Sequence, residues 1–305
     1  MSDKTSGGRT ASSLSCDDIV REFLGDEVGN LLHYDPIARE GEDPEGIHQL
    51  RVSCRRLRAE LTVMYEVFQR DAIDRLLGEL RWLGKTLGRR RDLDVRRALF
   101  EHVKGEMPRW LATSLLERLK EHTIEEDRRV QRLLDSDRYR HLMASLAEAV
   151  VRPHLNASAL TPAADVLGAG LCDALAALVT KVEAVGPKPT FEQLHEIRIF
   201  AKRVRYSAAL SSTLFAPRAK NIANSLEEVQ TVLGELHDRV LALDYFKNEF
   251  NDYLVEHPSA DLAKARARVE RKLTREIKRL NTQWRQPYAE ARRFGAALCR
   301  PSTPR

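Results

Sequence analysis

A motif of eleven residues occurs twice in this chain of 305 residues, and it constrains the fold more than any other feature. Residues 48–58 read HQLRVSCRRLR, and residues 195–205 read HEIRIFAKRVR, at a constant offset of 147. A second segment, Leu-Gly-x-x-x-Asp, occurs at 87–92 and again at 233–238, at an offset of 146. This repetition predicts an internal duplication of a unit of roughly 145 residues, folded as two similar helical bundles related by a pseudo-twofold axis.

The first copy of the motif carries two stripes if it is read as a helix. The cationic stripe steps by three, four and three residues through His48, Arg51, Arg55 and Arg58. An apolar stripe steps by four, three, four, three and four residues from Leu50 onward. Because a helix turns by about 100° per residue, the two stripes lie roughly a quarter-turn apart. Burial of the apolar stripe therefore presents the cationic stripe at the edge of a bundle.

The helix start and stop signals along the chain predict an all-α fold with no strand. Residues 1–14 are expected to be a disordered tail, and residues 15–300 one folded domain. The first helical repeat covers 15–151 and the second 163–298, separated by a break with two prolines. We expect helix starts at Ser15, at Asp43 with Pro44 in the first helical position, and at Thr190, whose capping-box partner is Gln193. The predicted helices are 16–34, 44–70, 72–88, 93–104, 108–134, 139–151, 163–185, 191–214, 218–236, 239–256, 260–280 and 284–298.

Two acidic residues are predicted to begin separate helices in this scheme. Asp92 is interpreted as the N-cap of a helix from Leu93, and Asp238 as the N-cap of a helix from Arg239, unless either anchors a nearby arginine. A polar loop is expected at 38–43.

Composition limits the class of protein. The chain is 43% hydrophobic and 31% charged, which is typical of a soluble folded protein. No run approaches the roughly 18 apolar residues of a membrane span, and the start lacks the apolar core of a signal peptide. The four cysteines show no CxxC spacing, and Cys54 falls on the apolar stripe, so we expect a reducing, cytoplasmic compartment. The net charge of +5 names no partner by itself, so the clustering of the cations matters more.

The cationic stripe points to an external anion. Like charges one turn apart on a helix repel each other. Because the pattern is repeated in register, we expect phosphate oxygens, which arginine and lysine bind by charge-assisted hydrogen bonds, to offset that repulsion. A solvated basic face is the alternative. Arg81, Lys85 and the run 89–91 extend the cluster in the first copy, but the second copy has lost most of this charge, so the first half is expected to be stronger. The long helix near the C-terminus adds a further basic face, which is either a third wall of the site or simply solvated.

No catalytic or metal site is predicted. His48 and His195 lie in the first turn of their helices, where the helix dipole disfavours a protonated ring, and no metal-ligand spacing accompanies them. His237 followed by Asp238 is a dipeptide found in metal phosphohydrolases, but its counterpart is Arg91 followed by Asp92. Neither a nucleophile with its base nor a phosphate-binding glycine loop is present. We therefore expect a protein that is not an enzyme, with no cofactor.

These repeated motifs resemble those of the CHAD family, the conserved histidine α-helical domain, and the resemblance spans about residues 15–300. It implies two four-helix bundles around a basic surface that binds inorganic polyphosphate. Family members often accompany triphosphate-tunnel enzymes or associate with polyphosphate granules, and the usual catalytic companion domain is absent here. The chain departs from the pattern where Lys202 replaces an arginine and where the second Leu-Gly segment lacks basic residues.

We therefore predict a stand-alone CHAD protein of the cytoplasm that binds polyphosphate, or another polyanion, and associates with polyphosphate granules. A general nucleic-acid binder is the main alternative; few aromatic residues other than Tyr206 accompany the basic stripes, which disfavours base stacking. A metal-dependent phosphohydrolase is the third hypothesis. No membrane is expected, and protein partners are not indicated. The predicted polyphosphate-binding residues are His48, Arg51, Arg55, Arg56, Arg58, Arg81, Lys85, Arg89, Arg90, Arg91, His195, Arg198, Lys202, Arg203, Arg205, Arg271 and Arg275.

Overall fold

The computed structural model describes residues 13–41, 44–256 and 258–299, and within these ranges the chain forms eleven α-helices. The all-α prediction is confirmed. Two isolated bridges, Ser15 with Pro162 and Phe68 with Leu155, are the β-type pairings in these ranges. The helices are α1 (Cys16–Glu40), α2 (Pro44–Val63), α3 (Arg70–Val103), α4 (Arg109–Leu134), α5 (Asp137–Val151), α6 (Ala163–Glu183), α7 (Phe191–Leu210), α8 (Ser212–Phe215), α9 (Arg218–Glu256), α10 (Ala260–Gln283) and α11 (Arg285–Leu298).

The predicted N-cap at Ser15 and the predicted capping box at Thr190 both form, and Ser15 also belongs to a capping box. The Ser15 hydroxyl accepts a hydrogen bond from the Asp18 amide, and the Asp18 carboxylate accepts one from the Ser15 amide. Thr190 and Gln193 make the same reciprocal pair at the start of α7. These bonds satisfy amides that a helix start leaves without partners. The expected cap at Asp43 lies outside the described residues, as does most of the predicted tail; the carbonyl of Leu14, at the tail's end, accepts a hydrogen bond from the Ala163 amide.

Three helices are longer than predicted. α1 continues through the expected loop to Glu40, because Ala38 is fully buried and Gly41, at φ 72°, provides the left-handed residue that ends it. Asp92 and Asp238 are not caps. They lie inside α3 and α9, which continue because buried residues follow each of them, Leu93 and Ala242 for example.

The buried apolar side chains form three clusters. The first is built by α1, α2, α5, the N-terminal half of α3 and the C-terminal end of α4. The second is built by α6, α7, α11 and the N-terminal half of α9. The third joins both halves of the chain, because the C-terminal halves of α3 and α9 pack there against α4 and α10. This third cluster was not predicted, and it follows from the unexpected length of α3 and α9.

Helix α6 is long and apolar enough to cross a membrane, by length and composition alone. The sequence expectation concerned an unbroken apolar run, and Asp165 and Asp173 interrupt the apolar residues of α6. The same test is also met by core helices of soluble proteins, and α6 places Leu171, Leu175 and Leu178 in the second cluster.

A disulfide joins Cys172 of α6 to Cys299 after α11, with 5.6 Å between the Cα atoms. The cysteine spacing gave no indication of this pairing. Because disulfides are typical of oxidising compartments, the cysteine argument for a reducing compartment does not hold. Cys16 and Cys54 are free and buried, as expected for Cys54.

We predict opposite effects of alanine at two helical glycines. A Cβ on Gly46 would lie 2.6 Å from the Ala38 backbone nitrogen, where α1 and α2 meet, whereas a Cβ on Gly78 would have no neighbour within 4 Å. Gly46→Ala should lower the free energy of unfolding by about 1–3 kcal/mol through overpacking. Gly78→Ala should raise it by about 0.5–1 kcal/mol, because alanine favours the helix. Denaturant unfolding measures both, and equal effects would contradict the close approach of α1 and α2.

Candidate functional site

The two copies of the repeated motif form α2 and α7, which pack against each other. Their apolar stripes are buried beneath them: Leu50 and Leu57 lie in the first cluster, and Ile197 and Val204 in the second. Since each cationic stripe sits beside its apolar stripe, this packing brings the cations of the two helices together. A cleft of about 470 Å³ results, with α6 as a further wall. Its charged lining residues are Arg55, Arg58, Arg198, Lys202 and Arg203.

Lys202 lies at the centre of this positive charge. Burial, followed by the charges of Arg55, Arg58, Arg198 and Arg51, lowers the pKa of its amino group to about 8. Burial likewise lowers the pKa of Arg51 and of Arg198, and Arg55 lowers each of them further. The cleft therefore holds half-buried cations from both helices close enough to destabilise one another.

Two helical glycines lie against the inner arginines, Arg51 and Arg198. The Nε of Arg51 lies 3.9 Å from where a Cβ would stand on Gly88, and the Nε of Arg198 lies at the same distance from the equivalent point on Gly234. Asp92 attracts Arg51, and Asp238 attracts Arg198. In each Leu-Gly-x-x-x-Asp segment, the glycine thus lies against one arginine and the aspartate partly offsets its charge. This agrees with the alternative interpretation, in which each aspartate anchors a nearby arginine.

The histidines border this cluster. Burial and then the charge of Arg91 lower the pKa of His48, which agrees with the expected neutral ring. Burial and then Arg198 also lower the pKa of His237, whose ring stacks on Phe191 with centroids 5.2 Å apart. His195 is exposed, and its ring centroid lies 5.5 Å from that of His237.

Several buried polar atoms of the cleft and its border have no hydrogen-bond partner among the described residues. They include donors whose burial without an acceptor is costly in a folded protein. These atoms are the Nε of Arg55, the Nε of Arg198, the Nδ1 of His48, the Nδ1 of His237, the hydroxyl of Tyr206 and the hydroxyl of Ser207. An anion with several oxygen acceptors would satisfy the arginine donors directly.

Other predicted site residues lie elsewhere. Arg90 is buried and bonds to Asp94 and Asp127, so it is not available to a ligand. Arg56 and Arg205 line a separate cleft of about 290 Å³ beside Glu27 and Glu60. Burial, reinforced by Glu27, raises the pKa of Glu60 to about 8.

The remaining predicted cations are exposed, with the exception of half-buried Arg91, whose guanidinium lies 3.8 Å from Asp94. Arg81, Lys85 and Arg89 lie along the surface of α3. Arg271 and Arg275 lie on α10, and among the described residues no contact joins them to the cleft.

Sequence reasoning missed the glycine seats and the polar residues of the cleft floor. Gly88 and Gly234 repeat at the offset of 146, which was the available signal. Tyr206 is 4% exposed and lines the cleft, with the Arg205 guanidinium 4.6 Å from its ring centroid. Among the described residues, no group of three or more His, Cys, Asp and Glu side chains could hold a metal ion.

These features define a class of all-α proteins in which two basic helices pack against each other. Comparison with known proteins agrees with this class. Residues 22–247 match the CHAD domain family. The chain belongs to the CHAD family.

Relatives support the family and the fold. The uncharacterized proteins MT2285 and Rv2226 of two Mycobacterium tuberculosis strains are each 28% identical over 240 residues, which is 75% of this chain and 45% of theirs. The chain thus spans less than half the length of these relatives, and no enzymatic activity is indicated by them. PptA from Streptomyces chartreusis has a similar fold, with a TM-score of 0.72 at 16% identity, covering 90% of this chain and 100% of that one. The CHAD domain from the plant Ricinus communis gives 0.69 at 21% identity, covering 95% and 96%.

We predict that Lys202→Met stabilises the protein at pH 7. The change removes a half-buried cation from among four arginines, and a gain of roughly 1 kcal/mol would raise the Tm by about 2–4 °C. The unfolded chain holds the lysine proton up to the usual pKa of 10.5, whereas the folded chain releases it near 8. The wild-type free energy of unfolding therefore rises between these pH values, and the advantage of the variant shrinks.

Thermal unfolding between pH 7 and pH 10 measures this difference. Lys181→Met is the control, because Lys181 pairs with Glu196 at 2.9 Å and its loss should not stabilise the chain. A lower Tm for Lys202→Met would show that Lys202 contributes to folding.

Proposed function

We propose that the chain binds inorganic polyphosphate in the cleft between α2 and α7, without catalysing a reaction on it. The observation that carries this proposal is the pair of half-buried arginines, Arg55 and Arg198, whose Nε donors have no acceptor among the described residues. Phosphate oxygens supply acceptors and negative charge together, which offsets both the missing hydrogen bonds and the repulsion around Lys202.

A linear inorganic polyanion fits the cleft better than a nucleic acid does. The charged lining comes from both helices, so the ligand must present several phosphates within one narrow, half-buried space. Dense phosphates meet this requirement without any base to accommodate. The cleft's aromatic residue, Tyr206, is buried and already contacted by the Arg205 guanidinium, so its ring offers little surface for base stacking.

We also propose that duplication of one helical unit produced the two halves, residues 15–151 and 163–298. The paired seats support this idea, since Gly88 holds Arg51 as Gly234 holds Arg198, at offsets of 146 and 147. The third apolar cluster is then an interface between the halves, formed by the extensions of α3 and α9. Polyphosphate granules are the proposed place of action.

The proposed ligand is tested by competition between long-chain polyphosphate and single-stranded DNA at equal phosphate concentration. We expect polyphosphate to displace DNA at every salt concentration, while counterion release weakens both ligands as salt rises. Fluorescence anisotropy of a labelled DNA measures the displacement. Equal affinity for the two ligands would favour the nucleic-acid alternative, and metal-dependent release of phosphate would favour a phosphohydrolase.

The double variant Arg55→Ala, Lys202→Ala tests the location of the site. Loss of two charge-assisted contacts should weaken polyphosphate binding by about tenfold to a hundredfold and make the salt dependence shallower. Lys120→Ala, Arg128→Ala is the matched control, because it removes the same charge from exposed positions on α4. Titration calorimetry measures the affinity, and circular dichroism confirms the fold. Equal weakening in both variants would indicate general charge attraction rather than this cleft.

A further inference from the structure

Arg205 occupies a different environment from its counterpart in the first copy of the motif. Arg58 lines the cleft, whereas Arg205 does not. The Nη1 of Arg205 instead lies 3.1 Å from the carboxylate of Glu227 on α9, and its guanidinium covers the Tyr206 ring. The Arg205 side chain is 15% exposed and that of Glu227 is 66% exposed, so the carboxylate shields the arginine from the solvent side.

The counterpart of Glu227 in the first half is a cation. At the offset of 146, Glu227 corresponds to Arg81. The residues one and two turns later are also cations on α3 but neutral or acidic on α9. All six positions are exposed. The stripe on α3 is Arg81, Lys85 and Arg89, and the stripe on α9 is Glu227, Thr231 and Glu235.

The stripe on α3 adjoins the cleft. A Cβ on Gly84, next to Lys85, would lie 4.0 Å from the Nη1 of Arg58. One turn further along, Gly88, next to Arg89, meets Arg51 at 3.9 Å. Arg58 of the cleft and the neighbouring Arg51 therefore rest on the same turns of α3 that carry the exposed cations, and positive charge continues from the cleft onto the surface. On α9, Gly234 meets Arg198, but the neighbouring exposed residue is Glu235.

We propose that Glu227 is a specificity-determining residue that makes the polyanion path one-sided. Its carboxylate competes with phosphate for Arg205, and with Glu235 it repels a polyanion from α9. A bound chain therefore leaves the cleft across Arg81, Lys85 and Arg89 of α3. This inference rests on the proposed function and adds the direction in which the ligand extends. A purely structural role for the ion pair is the competing explanation.

The test compares two polyphosphate lengths, a short chain that spans the cleft alone and a chain of about 100 phosphates that reaches the surface stripes. Glu227→Gln should lower the Kd of the long chain roughly two- to fivefold, and Glu227→Arg should lower it further, as expected for exposed charge pairs. The salt dependence of long-chain binding should become steeper, because more phosphates are contacted. The Kd of the short chain should change much less.

Glu228→Gln and Glu228→Arg are the matched controls, since Glu228 is the next residue and exposed, with no ion pair among the described contacts. Arg81→Glu is the converse variant, and it should remove most of the affinity that the long chain gains over the short one. Equal tightening by the Glu227 and Glu228 variants would overturn the inference in favour of a general charge effect. An unchanged long-chain Kd in the Glu227 variants would also overturn it while leaving polyphosphate binding intact. Failure of the wild type to bind either chain would overturn the proposed function itself.

Discussion

Repulsion between half-buried cations is the constraint around which this fold is built. Lys202 of α7 lies among the charges of Arg51, Arg55, Arg58 and Arg198, and the pKa of its amino group falls as a result. Such an arrangement cannot form by attraction between α2 and α7 at that surface. Packing beneath the two helices must therefore hold the cations together. The fully buried side chains under α2 and α7 do so through the hydrophobic effect.

The long helices α3 and α9 complete this arrangement of the cations. Each one begins in the core of its own half and ends in the third cluster, which both halves share. The aspartates that attract Arg51 and Arg198 lie at the point where these helices pass from one cluster to the next. The two aspartates therefore partly offset the charges of Arg51 and Arg198, whereas the charges that act on Lys202 are those of arginines. The positive potential is concentrated where the two halves meet.

The repeat predicted much of this arrangement. A motif with adjacent apolar and cationic stripes, repeated in register, indicates the all-α class and a basic site with residues from both copies. The same local signals led to the wrong prediction that separate helices begin after Asp92 and Asp238, because an aspartate after a polar run is typical of an N-cap. The buried residues that carry both helices onward belong to a cluster formed by distant segments, and such contacts have no local signature. The pairing of Cys172 with Cys299, 127 residues apart, depends on tertiary structure in the same way.

The two copies of the motif share most of their apolar and basic positions but not the charges that surround them. The positions at which an arginine lies against a helical glycine are the same in both copies, with Arg51 beside Gly88 and Arg198 beside Gly234. Positions that face solvent are free to differ, and they do: the motif arginine that meets the cleft in one copy meets Glu227 in the other. Arg90 shows that a basic run does not define a site, since its guanidinium joins Asp94 to Asp127 within the scaffold. Arginines therefore brace the scaffold within α3 and line the cleft on α2 and α7.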